Sequence, residues 1–319
     1  ALPIFMPNGT GLSGHNSSTQ SAVIINKPGV NNIFYIFTVN GVSGSGPGLC
    51  YTEVDMNLNS NNGDCTSNKN ILLVSNTCEK VSALNHQNSV DYWIITKIEG
   101  TNIYNSFLLS SSGIYPIPAT SSIVSSFSGT GGYLKASPDG TRLSATYIWG
   151  SYPIELFDFD KLSGTLSNCL TLSPYGSYYG SEFSPNSNVL YVSDHSNGDI
   201  LQFDLTAGSE ADISNSIYNV ANLGTAGGAI QLASDGKLYI TFPSTVLPVI
   251  NFPDNLGASC DYAQFGADLG GRNALYGLPT FFSSIFNSPP AGCDSVATAI
   301  IDIKNSSSTF TQVAQCDSF

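Results

Sequence analysis

Short hydrophobic runs alternate with clusters of Gly, Pro, Asn and Ser along most of this chain. Residues 179–205 contain three such runs, separated by turn formers at 184–187 and 195–199. In the last run apolar and polar side chains alternate, which places Leu201, Phe203 and Leu205 on one face. Alternation between tight-turn residues is typical of antiparallel strands joined by hairpins. The unit therefore predicts a small antiparallel sheet.

The same unit recurs, and its period predicts the fold. Gly140, Ser187 and Gly236 occupy the same turn in three copies and stand 47 and 49 residues apart, while Ser89 marks a weaker upstream copy. An apolar anchor in a later strand keeps this spacing: Phe107, Phe157, Phe203 and Ile250. A period of roughly 40–50 residues with several short strands per repeat is typical of a β-propeller, with one repeat per blade. We therefore predict an all-β propeller of four-stranded antiparallel blades, with a repetitive β-sandwich or β-helix as the alternative.

The repeats also predict how the chain is divided. Five complete blades are expected between about residues 21 and 253, and residues 257–286 are expected to form a closing blade. Residues 2–6 are expected to pair with 280–286 in that blade, because an unpaired sheet edge invites aggregation. The propeller is thus predicted to span 1–286, the Pro- and Ser-rich stretch 287–292 to be a linker, and 293–319 to be a partial β-rich stalk repeat with two Cys-Asp-Ser sequences.

Composition narrows the function classes. Charged residues make up only 10% of the 319 residues and the net charge is −13. An acidic surface disfavours nucleic acid and anionic lipid, because phosphates require basic residues. No stretch approaches the ~20 apolar residues of a membrane span. The profile favours a secreted, loop-rich protein, in which some of the seven cysteines are expected to form disulfides.

Several motifs carry a resemblance to a known family. The sequences MPNGTGLSGHNSSTQSAVII, EFSPNSNVLYVSD and LGGRNALYGLPTFFSSIF resemble the propeller domain of large Bacteroidetes surface proteins. Those proteins carry a gliding-motility-type C-terminal signal and are exported by type IX secretion. The resemblance covers nearly all of residues 6–286 and implies an extracellular or cell-surface location and no transferable catalytic residue. Because the family has a further strand-rich stretch before the MPNG motif, it implies six or seven blades in the intact ring.

The tail resembles the Cys-Asp-Ser repeats of adhesin stalks in the same group of bacteria. Residues 294–296 are similar to the Asp-Ser/Thr-aliphatic sequence that these bacteria O-glycosylate. Ser295 is therefore a candidate glycosylation site. The neighbouring stalk modules of the same chain become candidate partners of the propeller.

Candidate catalytic and metal-binding residues are few. His15 precedes Ser17 and Ser18, which suggests a nucleophile and base, but the strand–turn–helix elbow that such serines need is absent. A turn histidine is the simpler interpretation. Aspartates recur near predicted strand ends: Asp158, Asp160, Asp194, Asp199 and Asp204. They suggest a structural calcium ion, although turn capping explains them as well, and neither a catalytic residue nor a cofactor is assigned.

Aromatic residues offer a binding surface. Two adjacent inter-strand loops contain the candidates Trp149, Tyr152, Tyr175, Tyr178 and Tyr179. Exposed aromatic faces stack on sugar rings, whereas packing between blades is the competing interpretation.

Three functions follow from these features. The first is a non-catalytic propeller module of a bacterial adhesin or filament protein, which binds a protein or glycan ligand. The second is a lactonase-like hydrolase with a divalent metal in the central channel. The third is a purely architectural cap or spacer on a repeat stalk.

Overall fold

The computed structural model describes residues 6–41, 46–124, 127, 129–282, 298–304 and 307–313. Between Ala22 and Asp268, five antiparallel sheets follow one another. Blade 1 contains β1 (Ala22–Asn26), β2 (Ile33–Thr38), β3 (Leu49–Asp55), β4 (Asp64–Cys65) and β5 (Ile71–Val74). Blade 2 contains β6 (Thr77–Asn85), β7 (Tyr92–Ile98), β8 (Ile103–Ser110), β9 (Gly113–Ile114) and β10 (Ala119–Ser122).

The next three blades have four strands each. Blade 3 contains β11 (Leu134–Ala136), β12 (Arg142–Ala145), β13 (Tyr152–Asp160) and β14 (Thr165–Gly176). Blade 4 contains β15 (Tyr178–Phe183), β16 (Val189–Asp194), β17 (Asp199–Asp204) and β18 (Tyr218–Asn222). Blade 5 contains β19 (Ile230–Leu232), β20 (Leu238–Ile240), β21 (Val246–Ile250) and β22 (Tyr262–Asp268).

The first strand of each blade is the innermost one, and these strands lie side by side. Each of β1, β6, β11, β15 and β19 contacts the next in this order. Beyond blade 5, the carbonyl oxygen of Tyr276 accepts a hydrogen bond from the amide of Ala229 (2.7 Å), and Thr280 pairs in parallel with Val23 of β1. Residues 276–280 therefore lie between the last and first blades, in the position of a further innermost strand. The fold is a β-propeller, as the sequence repeats predicted.

The repeated turn residues have the backbone conformation that a tight hairpin requires. Ser89, Gly140, Ser187 and Gly236 all have positive φ, at 59°, 73°, 64° and 77°. Each follows the first strand of its blade. A left-handed residue fits the turn because its twist matches the right-handed twist of the flanking strands. The spacing seen in the sequence is therefore the spacing of one left-handed turn position in successive blades.

The hydrophobic core consists of layers between neighbouring blades. The repeated anchors Phe107, Phe157, Phe203 and Ile250 are completely buried. One cluster joins blades 1 and 2, a second joins blades 2 and 3, and two more join blades 3 to 4 and 4 to 5. Inner strands are buried on both faces because each sheet packs against two others, and in β15 and β16 every residue is buried.

Two features differ from the sequence-based predictions. Residues 262–268 form the outer strand of blade 5 rather than part of a closing blade, because the 3-10 helix Gly257–Cys260 and its flanking turns lengthen the connection from β21 to β22. A short helix, Glu210–Asn215, lies between β17 and β18, and a capping box between Ser209 and Asp212 begins it. A single left-handed turn at Leu58–Asn61 lies in an exposed Asn-rich connection between β3 and β4.

The ends of the chain were predicted to close the ring and to form a stalk repeat. Residues 2–5 and 283–286 lie outside the described part, and so do the linker 287–292 and Ser295, so these predictions stand untested. Met6 packs in the cluster of Val54 and Cys65 on blade 1. In the tail, β23 (Thr298–Lys304) and β24 (Ser307–Val313) form an antiparallel hairpin.

The expected disulfides do not form among the buried cysteines. Cys50, Cys65, Cys78 and Cys260 are free thiols in three different blades or their connections. Burial raises the pKa of each thiol above its ordinary value, because a buried thiolate loses its hydration. These four side chains are therefore inert packing residues. Cys293 and Cys316 lie outside the residues that the structure describes.

Candidate functional site

The predicted aromatic residues all lie at one end of the propeller. Strands alternate in direction, so the connections from second to third strand and from one blade to the next share the same end. We call this end the upper face. The loop 146–151 of blade 3 lies here, together with the end of β14, the start of β15 and the loop 195–198 of blade 4. The chain therefore brings Trp149, Tyr152 and Tyr175–Tyr179 to one surface.

Trp149 and Tyr175 are the two exposed members of the set. Their side chains are 59% and 53% exposed. Trp149 has a φ of 63°, which a residue other than glycine rarely adopts. Its amide donates a hydrogen bond of 3.0 Å to the Ser177 hydroxyl, which fixes this loop against the start of blade 4. The indole is thus held at the surface by its backbone rather than buried by packing.

Below Tyr175 lies a group of rings that we call the Phe127 cluster: Phe127, Tyr147, Tyr152 and Tyr175. The Phe127 ring centroid lies 6.3 Å from those of Tyr147 and Tyr152 and 6.5 Å from that of Tyr175. The contacts with Tyr152 and Tyr175 are edge-to-face, which is a favourable arrangement for aromatic rings. Tyr152 is half-buried and Tyr147 completely buried. The cluster therefore gives the exposed Tyr175 a rigid base.

Tyr178 and Tyr179 are buried and have structural roles. Tyr178 is 1% exposed, and its hydroxyl donates a hydrogen bond of 2.7 Å to the carbonyl of Pro174, the residue before Tyr175. Tyr179 packs near the innermost strands, where its ring lies 5.8 Å from Tyr133 and 5.5 Å from His195. Burial raises the pKa of both tyrosines. The surface available for stacking is therefore limited to Trp149, Tyr152 and Tyr175.

Sequence analysis did not anticipate the partners of Tyr179. The His195 Nδ1 atom donates to the Gly227 carbonyl oxygen, 2.9 Å away, and the His195 ring lies 5.0 Å from that of Tyr276. His195 and Tyr276 are far apart in sequence. They meet because the loop 195–198 and the segment 276–280 both reach the centre of the upper face. His195 is half-buried, although the neighbouring residues of its loop, Ser196 and Asn197, are exposed.

Two buried lysines lie beneath the Phe127 cluster and were also missed. Lys97 Nζ donates to the Tyr147 hydroxyl (2.7 Å) and to the Phe127 carbonyl (2.9 Å). Lys80 Nζ donates to the Gly131 carbonyl (2.5 Å) and lies 4.7 Å from the centre of the Tyr147 ring. The signal was present in the sequence, since each lysine interrupts an otherwise buried strand pattern. Such charges are expensive to bury and require partners.

Glu155 supplies the negative charge of this network. It accepts hydrogen bonds from the Tyr147 hydroxyl and, at 2.9 Å, from the Tyr104 hydroxyl. Burial lowers the pKa of Lys80 to about 7 and also lowers the pKa of Lys97. Burial raises the pKa of Tyr104 and Tyr147. We call this group of Lys80, Lys97, Tyr104, Tyr147 and Glu155 the lysine–tyrosine network; it joins blades 2 and 3.

The other candidate residues have local roles. The His15 Nδ1 atom lies 2.7 Å from the Ser17 hydroxyl in an exposed turn. Asp194 accepts hydrogen bonds from the amides of Ser196 and Asn197. The remaining aspartates likewise accept bonds from nearby turn or strand groups: Asp158, Asp160, Asp199 and Asp204. Within the described part of the chain, no three His, Cys, Asp or Glu side chains are grouped as metal ligands. No helix of that part is long and apolar enough to cross a membrane.

Comparisons with known proteins give limited information. No protein-family model matches the chain, and no curated protein matches its sequence. Among solved structures, it is similar to a putative 6-phosphogluconolactonase from Bacteroides fragilis, with 13% identity over 71% of this chain and 65% of that chain, and a TM-score of 0.46. It is also similar to the periplasmic gluconolactonase of Pseudomonas aeruginosa, with 14% identity, 74% and 68% coverage and a TM-score of 0.48.

A third similar structure is the β-propeller domain of Cps50 from Myceliophteria thermophila, with 12% identity, 68% and 65% coverage and a TM-score of 0.43. The chain spans about two thirds of the length of these structures. The neighbours are propellers, in agreement with the sheets described above, and at these identities they carry no argument about activity. The resemblance to Bacteroidetes surface proteins finds no support among family models or curated proteins.

Proposed function

We propose that this propeller is a non-catalytic binding module of a secreted or surface-anchored bacterial adhesin or filament protein. The observation that carries the proposal is the pair Trp149 and Tyr175, which are more than half exposed on one face. Large exposed aromatic side chains on a folded domain mark interaction surfaces. The ligand that fits them best is a glycan, since a sugar ring offers an apolar face to the ring and hydroxyls to the rim.

The rigidity of this surface supports the proposal. Trp149 is fixed by the hydrogen bond from its amide to Ser177, and Tyr175 rests edge-on against Phe127. Tyr178 holds the chain just before Tyr175 through the Pro174 carbonyl. Binding to a surface that is already ordered avoids the entropic cost of fixing side chains. Trp149 and Tyr175 are therefore preorganised for a ligand.

The charge of the protein limits the class of glycan. The chain has a net charge of −13 and only ten Lys and Arg residues, and Lys80 and Lys97 are buried beneath the site. A polyanionic glycan would be repelled by such a surface. The expected ligand is therefore a neutral oligosaccharide.

Substitution of the exposed aromatics tests this function. Neutral oligosaccharides are first screened on an array, and those that bind are measured by calorimetry. Trp149→Ala and Tyr175→Ala should each weaken binding about fivefold or more, since loss of one stacking contact costs about 1 kcal/mol or more. Tyr115→Ala is the matched control, because Tyr115 is equally exposed (58%) but follows β9 in blade 2. Unchanged binding by the Trp149 variant, or equal loss in the control, would refute the glycan site.

The alternative function is a lactonase-like hydrolase with a divalent metal in the central channel. The segment before β1 lies against the innermost strands of blades 2 and 3. Thr19 donates through its hydroxyl to the carbonyls of Glu79 (3.1 Å) and Gly132 (2.7 Å), and Gln20 donates to the Leu134 carbonyl (3.1 Å). Metal analysis of the purified protein and hydrolysis assays with sugar lactones separate the two functions. Stoichiometric metal together with lactone turnover would favour the hydrolase.

A further inference from the structure

Three innermost strands contribute one polar residue each to a buried triad. Lys135 lies on β11 in blade 3, Glu182 lies on β15 in blade 4 and Gln231 lies on β19 in blade 5. Lys135 Nζ lies 2.7 Å from Glu182 Oε2 and 3.5 Å from Gln231 Oε1. Glu182 Oε2 lies 3.4 Å from Gln231 Nε2. The carboxylate therefore contacts both the amine and the amide nitrogen.

The triad is closed to solvent and fixed in place. The three residues are 2%, 0% and 6% exposed. Glu182 Oε2 also accepts a hydrogen bond of 2.8 Å from the Leu232 amide, and Gln231 Nε2 donates one of 3.0 Å to the Leu232 carbonyl. These bonds hold the carboxylate and the primary amide in one arrangement. Holding an amine and an amide side by side in this way replaces a bimolecular encounter and raises the rate of a reaction between them.

We propose that Lys135 and Gln231 join through an isopeptide bond, with Glu182 as the proton-transfer residue. Lys135 Nζ is the nucleophile and the Gln231 side-chain carbonyl carbon is the electrophile. That carbon is one C=O bond, about 1.2 Å, from the oxygen that the amine already contacts. The reaction is an intramolecular transamidation that needs no cofactor.

The proton transfers balance within the triad. Glu182 takes a proton from the Lys135 ammonium across their 2.7 Å contact, which leaves a neutral amine with a free electron pair. The amine attacks the carbonyl carbon of Gln231 and forms the new C–N bond. Glu182 returns the proton to Nε2, and the bond from that nitrogen to the carbonyl carbon breaks. Ammonia leaves and takes up the amine's second proton, so nothing is oxidised or reduced.

The site favours this proton transfer. Burial raises the pKa of Glu182, although its contact with Lys135 opposes the effect. Loss of hydration favours the protonated form of the Glu182 carboxyl, which is the form that returns a proton to Nε2. The exclusion of water also prevents hydrolysis of the amide by the same carboxylic acid.

The chain contains its own control. Lys237 Nζ donates a hydrogen bond of 2.9 Å to Asn251 Oδ1, and this amide also contacts the Asp261 carboxylate. Asp261 is exposed, and water reaches this second lysine–amide pair. The geometry of the amine and amide is similar, whereas the buried proton-transfer group is absent. We therefore expect a bond at Lys135 and none at Lys237.

Intact-mass spectrometry of the full chain, denatured after folding, tests the proposal. The expected mass is that of the sequence minus one ammonia molecule. Trypsin should not cleave after the modified Lys135, so digestion should release a branched peptide in which residues 98–142 are joined to residues 162–237. Lys135→Arg and Gln231→Met should both retain the unmodified mass. Glu182→Gln should slow the time-dependent mass loss at least tenfold while the circular dichroism spectrum is kept.

Three results would overturn the proposal. The first is a folded wild-type chain that keeps the mass of its sequence after prolonged incubation. The second is a mass loss that persists in Gln231→Met. The third is loss of water with a cross-link at Glu182, which would make the carboxylate the electrophile. Because the bond would close a loop of 96 residues between blades 3 and 5, the cross-linked protein should also melt several degrees above the Gln231→Met variant.

Discussion

The two buried groups of charge in this propeller solve the same problem in different ways. In blades 3 to 5, Lys135 contacts a carboxylate directly at 2.7 Å. In the lysine–tyrosine network of blades 2 and 3, Lys80 and Lys97 donate mainly to backbone carbonyls and lie 4.7 and 4.6 Å from the centre of the Tyr147 ring. A direct ion pair offsets the lost hydration of two charges at once, whereas carbonyls and ring faces compensate the lost hydration of an amine only in part.

The difference shows in the titration of the lysines. Burial lowers the pKa of Lys80 to about 7, so this amine titrates nearer to neutral pH than an ordinary lysine. The stabilisation that the Lys135–Glu182 pair provides depends instead on the presence of both side chains. We therefore expect stability to depend on pH through the lysine–tyrosine network, and to depend on mutation through the pair of Lys135 and Glu182.

Removal of Glu182 should have the largest effect. In a Gln231→Met background, in which no covalent bond joins the blades, Glu182→Leu leaves Lys135 buried without its partner. The free energy of unfolding should fall by about 3–5 kcal/mol, the usual cost of breaking a buried pair. Urea denaturation measures it.

The control is the variant that also carries Lys135→Met. Replacement of both charges by apolar groups of similar size should restore most of the loss, because a buried pair and a well-packed apolar pair are close in energy. A double variant as unstable as the single one would mean that packing, rather than an unpaired charge, causes the effect.

The second prediction concerns pH. The folded pKa of Lys80 lies below its ordinary value of 10.5, so unfolding takes up a proton between about pH 7 and 10. Stability should therefore rise with pH in this window, by up to about 1 kcal/mol per pH unit. Denaturant curves from pH 7 to 8.5 test this below the range in which the buried thiols begin to act in the opposite direction.

Lys80→Met should flatten that rise. Lys97, whose pKa is also lowered by burial, would contribute the remaining slope. Lys237→Met is the surface control and should leave the slope as it is. If the free energy of unfolding rises equally with pH in the wild type and the Lys80 variant, Lys80 is charged in both the folded and the unfolded state. The proposed difference between the two buried groups would then be wrong.

Substitutions in the hairpin turns should have the smallest effects on the free energy of unfolding. Their effects are a reference against which those of the buried charges can be compared. Ser89 has a φ of 59°, which costs an L-residue about 1 kcal/mol. Ser89→Gly should therefore stabilise the protein by roughly 0.5–1 kcal/mol. Gly236→Ser should destabilise it by a similar amount, since a Cβ there meets nothing within 4 Å and only the backbone angle matters. Thermal melts measure both; equal signs would contradict the shared turn conformation.

The repeat spacing explains how much of the fold could be predicted. Ser89, Gly140, Ser187 and Gly236 repeat because the hairpin requires one backbone conformation, and this local rule is visible in sequence. The outer strand of blade 5 was misplaced because the connection 251–261 breaks the period. The helix Glu210–Asn215 was missed, although Ser209 and Asp212 have the spacing of a capping box.

The buried triad was hidden for a different reason. Lys135, Glu182 and Gln231 each stand five residues before a repeated turn residue, so their shared position was readable from the repeats. Their contact was not, since it depends on three blades converging at the centre. Burial of Tyr178 and Tyr179 was missed for a related reason: an inner strand packs on both faces, and alternation then gives no sign of which side chains are exposed.

The closing segment determines how this domain would bear a mechanical load. Tyr276 is held by the Ala229 amide and the Thr241 hydroxyl, and Thr280 is held through its pairing with Val23. A pull on the chain beyond Phe282 meets first the contact of the Phe282 ring with Tyr92, whose centroids lie 5.4 Å apart, then the pairing at Thr280 and last the hydrogen bonds at Tyr276. Contacts that are loaded one after another do not share the tension, so we expect residues 276–282 to detach before the five blades unfold. Each released residue adds up to about 3.5 Å of slack, and the five blades remain folded while the tether lengthens.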